Sequence, residues 1–506
     1  MKPLHIPFRF LVFVFSLCIL IVLPLTSTAQ AAIVDVTPAL STANRPADQI
    51  YPTVHAPRST THPAITCSPS PCVLPNVQAS EGDQPVNSTP IVANPNNGND
   101  LLTGSIDDNC ASNLGFFASS DRGTTWNHTC MNTLDGASAG GDPGVGYDLN
   151  NVAYITGINS FGSGGVVVFE KSTDNGLTWS APTEAANNIL GGLIDRDWLR
   201  VDTSQKSPHV NALYISATQH DSYIYTRNTE ISVSHSSDGG TSWTTIPVDS
   251  KQIYPNIDEF SNVYTDPDGT VDVAWMRCIA SGPTRNCGDT IATYWFSQST
   301  DGGMTWSTPR VISSGRLAPD TCGAFYGCLR NTSEPLSYTP VLGFVYMKKK
   351  VGGSDVLIGC HTSTHMTNMT GNKDGSGTIT ATRACGFSWK SVTVAPSPNG
   401  HDQFFPWLSV SPDSKVVAIT WLDRRNDPSN RSYQEFVAFS TDGGKSYGKA
   451  IPLTTVLSNP QDDGHAGTFM GDNTGSCWAG NILYASWPDS RTRTGMQDEV
   501  GGYQFR

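Results

Sequence analysis

From about residue 80 onward the chain consists of short runs in which apolar and polar residues alternate, such as Gly115-Phe116-Phe117-Ala118, Val166 to Phe169 and Ile231-Ser232-Val233. A period of two predicts short strands, each with one face toward a core. One phrase follows these runs five times: Ser119 to Trp126, Ser172 to Trp179, Ser236 to Trp243, Ser299 to Trp306 and Ser440 to Tyr447, all fitting S-x-D-x-G-x-[TS]-[WY]. Its aspartates, Asp121, Asp174, Asp238, Asp301 and Asp442, are separated by 53, 64, 63 and 141 residues. The last gap is two periods long, so a degenerate copy is expected near Gly386-Phe387-Ser388-Trp389. A fixed period marks an array of like structural units.

The phrase has the chemistry of a tight turn between two strands. Aspartate accepts hydrogen bonds from backbone N–H groups one or two residues on, the following glycine takes positive φ, and the aromatic opens the next strand. The five aspartates therefore read as structural, since one active site has no use for five identical turns. The phrase resembles the Asp-boxes (BNR repeats) of the sialidase superfamily and related β-propellers, and the resemblance covers the chain from about residue 80 to the end. It implies an all-β propeller. It does not fix the chemistry, because Asp-boxes occur in sialidases, xyloglucanases, sorting receptors and non-enzymatic binders.

Counting repeats favours seven blades over six. The runs Phe469 to Trp478, Asn481 to Trp487 and Val500 to Phe505 give three strands after the last turn, and Cys72 to Ala79 supplies a fourth that would close the ring from the N-terminus. The expected domains are a signal peptide over 1–31, a Pro/Thr/Ser-rich linker or stalk over 32–80, and the propeller over 81–506. The signal rests on Lys2 and Arg9 flanking an apolar run from Phe10 to Leu25, with Ala29-Gln30-Ala31 for cleavage. No later run is long enough to cross a bilayer, so a secreted or cell-surface protein with no membrane insertion after cleavage is expected.

The formal charge of −13 becomes −15 once Lys2 and Arg9 leave, and no basic patch is present to neutralise phosphates, which argues against a nucleic-acid partner. Eleven cysteines remain beyond Cys18, several in close pairs, which suits an oxidising compartment. Disulfides are expected at Cys278–Cys287 and Cys322–Cys328, and because eleven is odd at least one cysteine stays free or pairs outside the chain. With no C-x-x-C pair, neither a metal nor another cofactor is expected.

In a propeller the starts of the innermost strands and the ends of the second strands meet on the face opposite these turns. Polar residues recur at both places: Asp142, Asp195-Arg196-Asp197-Trp198, Asp258-Glu259, Asp402-Gln403 and Asp472 at the starts, and Asp107, Asn159, His220, Arg277, His361, Asp423-Arg424-Arg425 and Asp489-Ser490-Arg491 at the ends. The echo of Trp421-Leu422-Asp423-Arg424-Arg425 in Trp487-Pro488-Asp489-Ser490-Arg491 suits either a polar ligand site or a loop staple. Resemblance to sialidases implies an arginine triad, a Tyr nucleophile with its Glu, and an Asp acid/base. Yet the chain lacks Arg-Ile-Pro, and Ser88 to Asp108 contains no arginine.

The candidate catalytic residues are therefore carboxylates, Asp195, Asp197 and Asp472. Arg196, Trp198, Arg277, His361, Gln403, Asp423, Arg424, Asp489 and Arg491 are the candidate ligand-binding residues. The expected function is binding or hydrolysis of a glycan on that face, as a glycoside hydrolase of exo-sialidase-like type if the protein is an enzyme. The alternative is a non-catalytic extracellular module that binds carbohydrate or protein.

Overall fold

The computed structural model describes residues 69–505 apart from 139, 163, 222–227, 281–286, 288–290, 318–338, 368–377, 397–400, 466, 468 and 493–494. The expected signal peptide, most of the linker, and Cys67, Cys322 and Cys328 lie outside the described residues. Within them the chain forms antiparallel strands, with one 3-10 turn at Pro460–Asp462.

The strands assemble into seven sheets among the described residues, numbered here in chain order. Five are four-stranded meanders. The second sheet is Gly144–Tyr147, Ala153–Phe161, Gly164–Ser172 and Thr183–Asn187; the third is Ile194–Val201, Leu213–His220, Thr229–Ser236 and Thr244–Pro247. The fourth is Asn256–Thr265, Val271–Ile279, Ile291–Ser299 and Arg310–Arg316; the fifth is Val341–Val351, Ser354–Thr367, Thr378–Ala384 and Lys390–Thr393. The sixth is Gln403–Val410, Val417–Asp423, Gln434–Ser440 and Ile451–Pro452.

In the first sheet the opening strand is split into Val86–Asn87 and Ile91–Ala93, both pairing with Leu101–Asp107, and Leu114–Ser119 and Asn127–Cys130 follow. The seventh takes Gly475–Ala479, Ile482–Asp489 and Gln497–Gln504, with Cys72–Val73 and Val77–Gln78 pairing along the last of these. Residues 72–78, inside the span expected as linker, thus belong to a sheet.

First strands pack against first strands of neighbouring sheets, and the seventh packs on Ile91–Ala93 of the first. The interior between sheets is apolar. Trp275, Trp421 and Trp487, each on a second strand, are fully buried, and burial of rings this large dominates the packing energy.

Each S-x-D-x-G turn joins a third strand to a fourth, and each is locked from within. In the third sheet Ser236 Oγ donates to Asp238 Oδ1 (2.8 Å), Gly240 N donates to Ser236 Oγ (2.9 Å), and Ser242 donates through its N (2.9 Å) and Oγ (2.6 Å) to the two Asp238 oxygens. The same bonds recur around Asp121, Asp174, Asp301 and Asp442. The carboxylate reaches N–H groups three and four residues ahead rather than one or two, because the serine takes the nearer donors and the loop is wider than a simple β-turn. In the fifth sheet, where the degenerate copy falls, this lock is replaced. Cys385 at the turn is disulfide-bonded to Cys360 of the second strand.

Two further disulfides are described, Cys110–Cys130 and the expected Cys278–Cys287. Cys477 is a free thiol.

Candidate functional site

The chain enters the first strands by an unusual backbone. In six of the seven sheets a residue at the start of the first strand has positive φ: Ser88 (61°), Asp142 (51°), Arg196 (58°), Phe260 (58°), Phe405 (50°) and Gly471 (74°). In three of them the pairing with the second strand slips there, between Asp195 and Trp198, Glu259 and Asn262, and Phe404 and Trp407. A bulge of this kind re-aims a side chain relative to its strand. For a residue as large as Phe or Arg the left-handed conformation costs of order 1 kcal/mol, and such strain is concentrated at functional sites.

These starts converge on Arg196. Its Nη1 donates to Asp472 Oδ2 of the seventh sheet at 2.6 Å, and its backbone N donates to Asp142 Oδ2 of the second sheet at 2.9 Å and to Asp195 Oδ1 at 3.1 Å. The guanidinium lies over the ring of Phe260 from the fourth sheet, 5.0 Å from its centroid. Asp197 accepts from Thr156 Oγ1 at 3.0 Å, while its other oxygen is buried without a hydrogen-bond partner. Residues far apart in sequence are thus gathered at one end of the sheets, the end opposite the S-x-D-x-G turns.

Burial governs the electrostatics of this cluster. It pushes the Asp142 carboxyl up to about 7, against the pull of Arg196 and with help from Asp195 and Asp472. Burial, with Asp142 as a neighbour, also holds Asp197 well above the usual carboxylate range. Two residues on from Arg196, Trp198 meets Trp407 of the sixth sheet with ring centroids 4.3 Å apart. Beside them Val341, Met366, Phe405, Trp407, Asp472 and Thr474 line a cavity of about 10 Å³, room for a single water.

The remaining candidates are engaged with partners of their own. Arg277 forks onto Asp258 (2.5 and 2.6 Å) and reaches Asp249 (2.8 Å). The two echoed motifs build the same staple. Asp423 accepts from the Trp421 indole (2.7 Å), Gln403 (2.7 Å) and Arg425 (2.6 Å), and Asp489 accepts from the Trp487 indole (3.1 Å) and Arg491 (2.8 Å). Arg491 also pairs with Glu499 at 2.9 Å. Arg424 is fully buried, donates to Asp402 and to the Asn430 carbonyl at 3.1 Å, and packs on Phe404.

A guanidinium in that setting presents no face to a ligand, so the ligand role read for Arg424 gives way to a structural one. His361 requires a larger correction. It lies within the second strand of the fifth sheet, not at its end, because the hairpin Val341–Val351/Ser354–Thr367 runs several residues beyond its neighbours. Its Nε2 meets Asp266 (2.9 Å) and Asp272 (3.3 Å) near the end of the sheets that carries the S-x-D-x-G turns.

Asp142, His220 and Glu259 belong to the cluster's surroundings although sequence reasoning chose none of them as a site residue; their place at strand starts and ends was the available signal. Gly136 to Gly140 has the spacing of a nucleophile elbow, G-x-S-x-G, but Ser138 bridges Ser160 and donates to its carbonyl at 3.1 Å, and no helix follows among the described residues.

Meander sheets with first strands packed on one another, turns of one type at one end and converging polar residues at the other define the class as an all-β protein of β-propeller type. No protein-family model matches the chain, and no curated protein does. Solved structures similar to it include a protein of unknown function from Dyadobacter fermentans (11% identity, 87% of this chain and 100% of that one, TM-score 0.47). Others are the intramolecular trans-sialidase of Ruminococcus gnavus (12%, 70% and 94%, 0.43) and an α-L-arabinofuranosidase of Fusarium graminearum (8%, 72% and 92%, 0.39). At such identities and scores the likeness assigns no activity to this chain.

Proposed function

We propose that the chain is a secreted, sialidase-like β-propeller that binds and hydrolyses a glycan at the end of the sheets opposite its Asp-boxes. In this reading the seven sheets are seven blades, and the strands at residues 72–78 close the ring by completing the last one. The three described disulfides support an oxidising compartment, in keeping with a signal peptide over 1–31.

The observation that carries the functional reading is the convergence of Asp142, Asp195, Asp197 and Asp472, from three different sheets, around Arg196. Glycoside hydrolysis needs one carboxyl group that keeps its proton and one that is ionised across the bond to be cleaved. Asp142, pushed to about 7 by burial, suits the first role. Asp472, held at 2.6 Å by Arg196, suits the second. A screen of sialosides, β-glucans, uronides and arabinans tests the reading. Hydrolysis of one class, lost in Asp142→Asn and in Asp472→Asn, is the expected result, and no turnover of any class removes the enzymatic part.

A second reading, a carbohydrate-binding module without catalysis, draws support from the ring contact of Trp198 with Trp407, which lines a small cavity together with Asp472. Glycan binding without hydrolysis would select it.

A further inference from the structure

A second set of groups lies beside the carboxylate cluster. Asp195 at the start of the first strand and His220 at the end of the second share one face of the third sheet, since Asp195 pairs with Thr218 and His220 is two residues on. Glu259 occupies in the fourth sheet the place that Asp195 occupies in the third, immediately before the left-handed residue of its bulge. The first strand of the fourth sheet packs against both of those strands. As a result one carboxylate oxygen of Asp195, one imidazole nitrogen of His220 and one carboxylate oxygen of Glu259 all lie within 4.8 Å of one another.

Glu259 makes this more than a chance gathering. It is 4% exposed, and among the described residues its carboxylate has no hydrogen bond or ion pair, its near neighbours being Asp195 and His220. A buried carboxylate left in that state is costly unless a cation meets it. We infer that Asp195, His220 and Glu259 form a binding site for a divalent transition-metal ion of the zinc type. One imidazole and two carboxylates match that ion's preference for mixed nitrogen and oxygen donors, and three protein ligands leave a fourth position for water or a sugar hydroxyl. Ligand atoms around tetrahedral zinc are roughly 3.3 Å apart, so an approach of about an ångström by the side chains completes the geometry. Asp195 is one-third exposed, which leaves a route for the ion from solvent. The site departs from the sequence reading, in which no metal was expected, and it does not depend on the identity of the glycan.

The test is titration of the purified protein with Zn²⁺ alone against a chromophoric chelator. The wild-type protein should take up one equivalent with micromolar or tighter affinity. His220→Ala and Glu259→Gln should each weaken it by more than about a hundredfold, the loss of a direct ligand exceeding the 10–100-fold typical of its outer partners. His361→Ala, which removes the imidazole from the other His and Asp grouping with Asp266 and Asp272, should leave it unchanged. Glu259→Gln keeps size and shape, so it carries the test if near-UV circular dichroism shows that His220→Ala has not folded. Failure of the wild-type protein to bind Zn²⁺ below about 100 μM, far weaker than structural zinc, overturns the inference. So does loss of the equivalent in His361→Ala but not in Glu259→Gln. Because the readout is zinc binding, it stands or falls separately from glycan hydrolysis.

Discussion

The two ends of the sheets are built on opposite principles. At one end each S-x-D-x-G turn closes on itself, and its bonds span two to four residues, as from Ser119 to Asp121 and from Thr125 to Asp121. At the other end the bonds that matter span 54 residues, from Arg196 to Asp142, and 276, from Arg196 to Asp472. The first end is a set of independent fasteners, so losing one should loosen one sheet. The second is a single network, and damage to it should reach several sheets and any ligand at once.

That contrast can be broken by substitution. The largest effect is expected from Arg424→Ala, which leaves Asp402 buried without its cation and should cost about 3–5 kcal/mol in urea unfolding while glycan binding by the folded fraction is unchanged. Arg196→Ala should cost somewhat less, about 2–4 kcal/mol, because Arg196 is slightly exposed. Unlike Arg424→Ala, it should also abolish glycan binding, as read by titration calorimetry. A ligand effect for Arg424 and none for Arg196 would reverse the assignment of the two arginines.

The effect of pH should be of intermediate size. Burial raises Asp142, Glu170 and Asp498 to about 7 and Glu499 to about 8 in the folded protein, against about 4 in an unfolded chain. Each therefore holds a proton in the native state that the unfolded state has lost, and stability must fall as pH rises from about 4 through 8. Thermal unfolding should show a higher midpoint at pH 5 than at pH 8. Asp498, which accepts from Thr103 at 2.9 Å and from Ser105 and Ser486, carries one share of that slope. Asp498→Asn should flatten it, and a midpoint that rises toward pH 8 would contradict the assignment.

The smallest effect belongs to the turns. Asp238→Ala removes one acceptor for Ser236, Thr241 and Ser242, and by analogy with a lost helix-capping carboxylate it should cost about 1 kcal/mol. Glycan binding should be preserved in this variant, whereas loss of binding with unchanged stability would make the turns functional.

The same contrast explains what the sequence made legible. A turn that closes within eight residues must write its donors, acceptors and glycines into those eight positions, so the phrase could be read five times over, and the degenerate copy could be found from its period. Strand starts and ends followed from the turns, which is how Asp195, Arg196, Asp197 and Asp472 were reached. Which of the polar residues at those places face one another depends on bulges that a period-two pattern does not encode. Arg196 and Arg424 look alike in sequence, each beside an aspartate and near a tryptophan. A left-handed backbone at Arg196 puts it among carboxylates from three sheets, and a regular one leaves Arg424 inside its own. His361 was misplaced for a related reason, since nothing in its hairpin announced the additional length.

The central claim is that ligand binding resides in the long-range network and not in the repeated turns. The most direct test is glycan affinity, measured by calorimetry or saturation-transfer NMR with whichever class the substrate screen selects, for Asp472→Asn and Asp238→Ala side by side. At least a tenfold loss is predicted for Asp472→Asn, equivalent to about 1.4 kcal/mol, with no change for Asp238→Ala. Unchanged affinity in Asp472→Asn together with loss in Asp238→Ala would contradict the account.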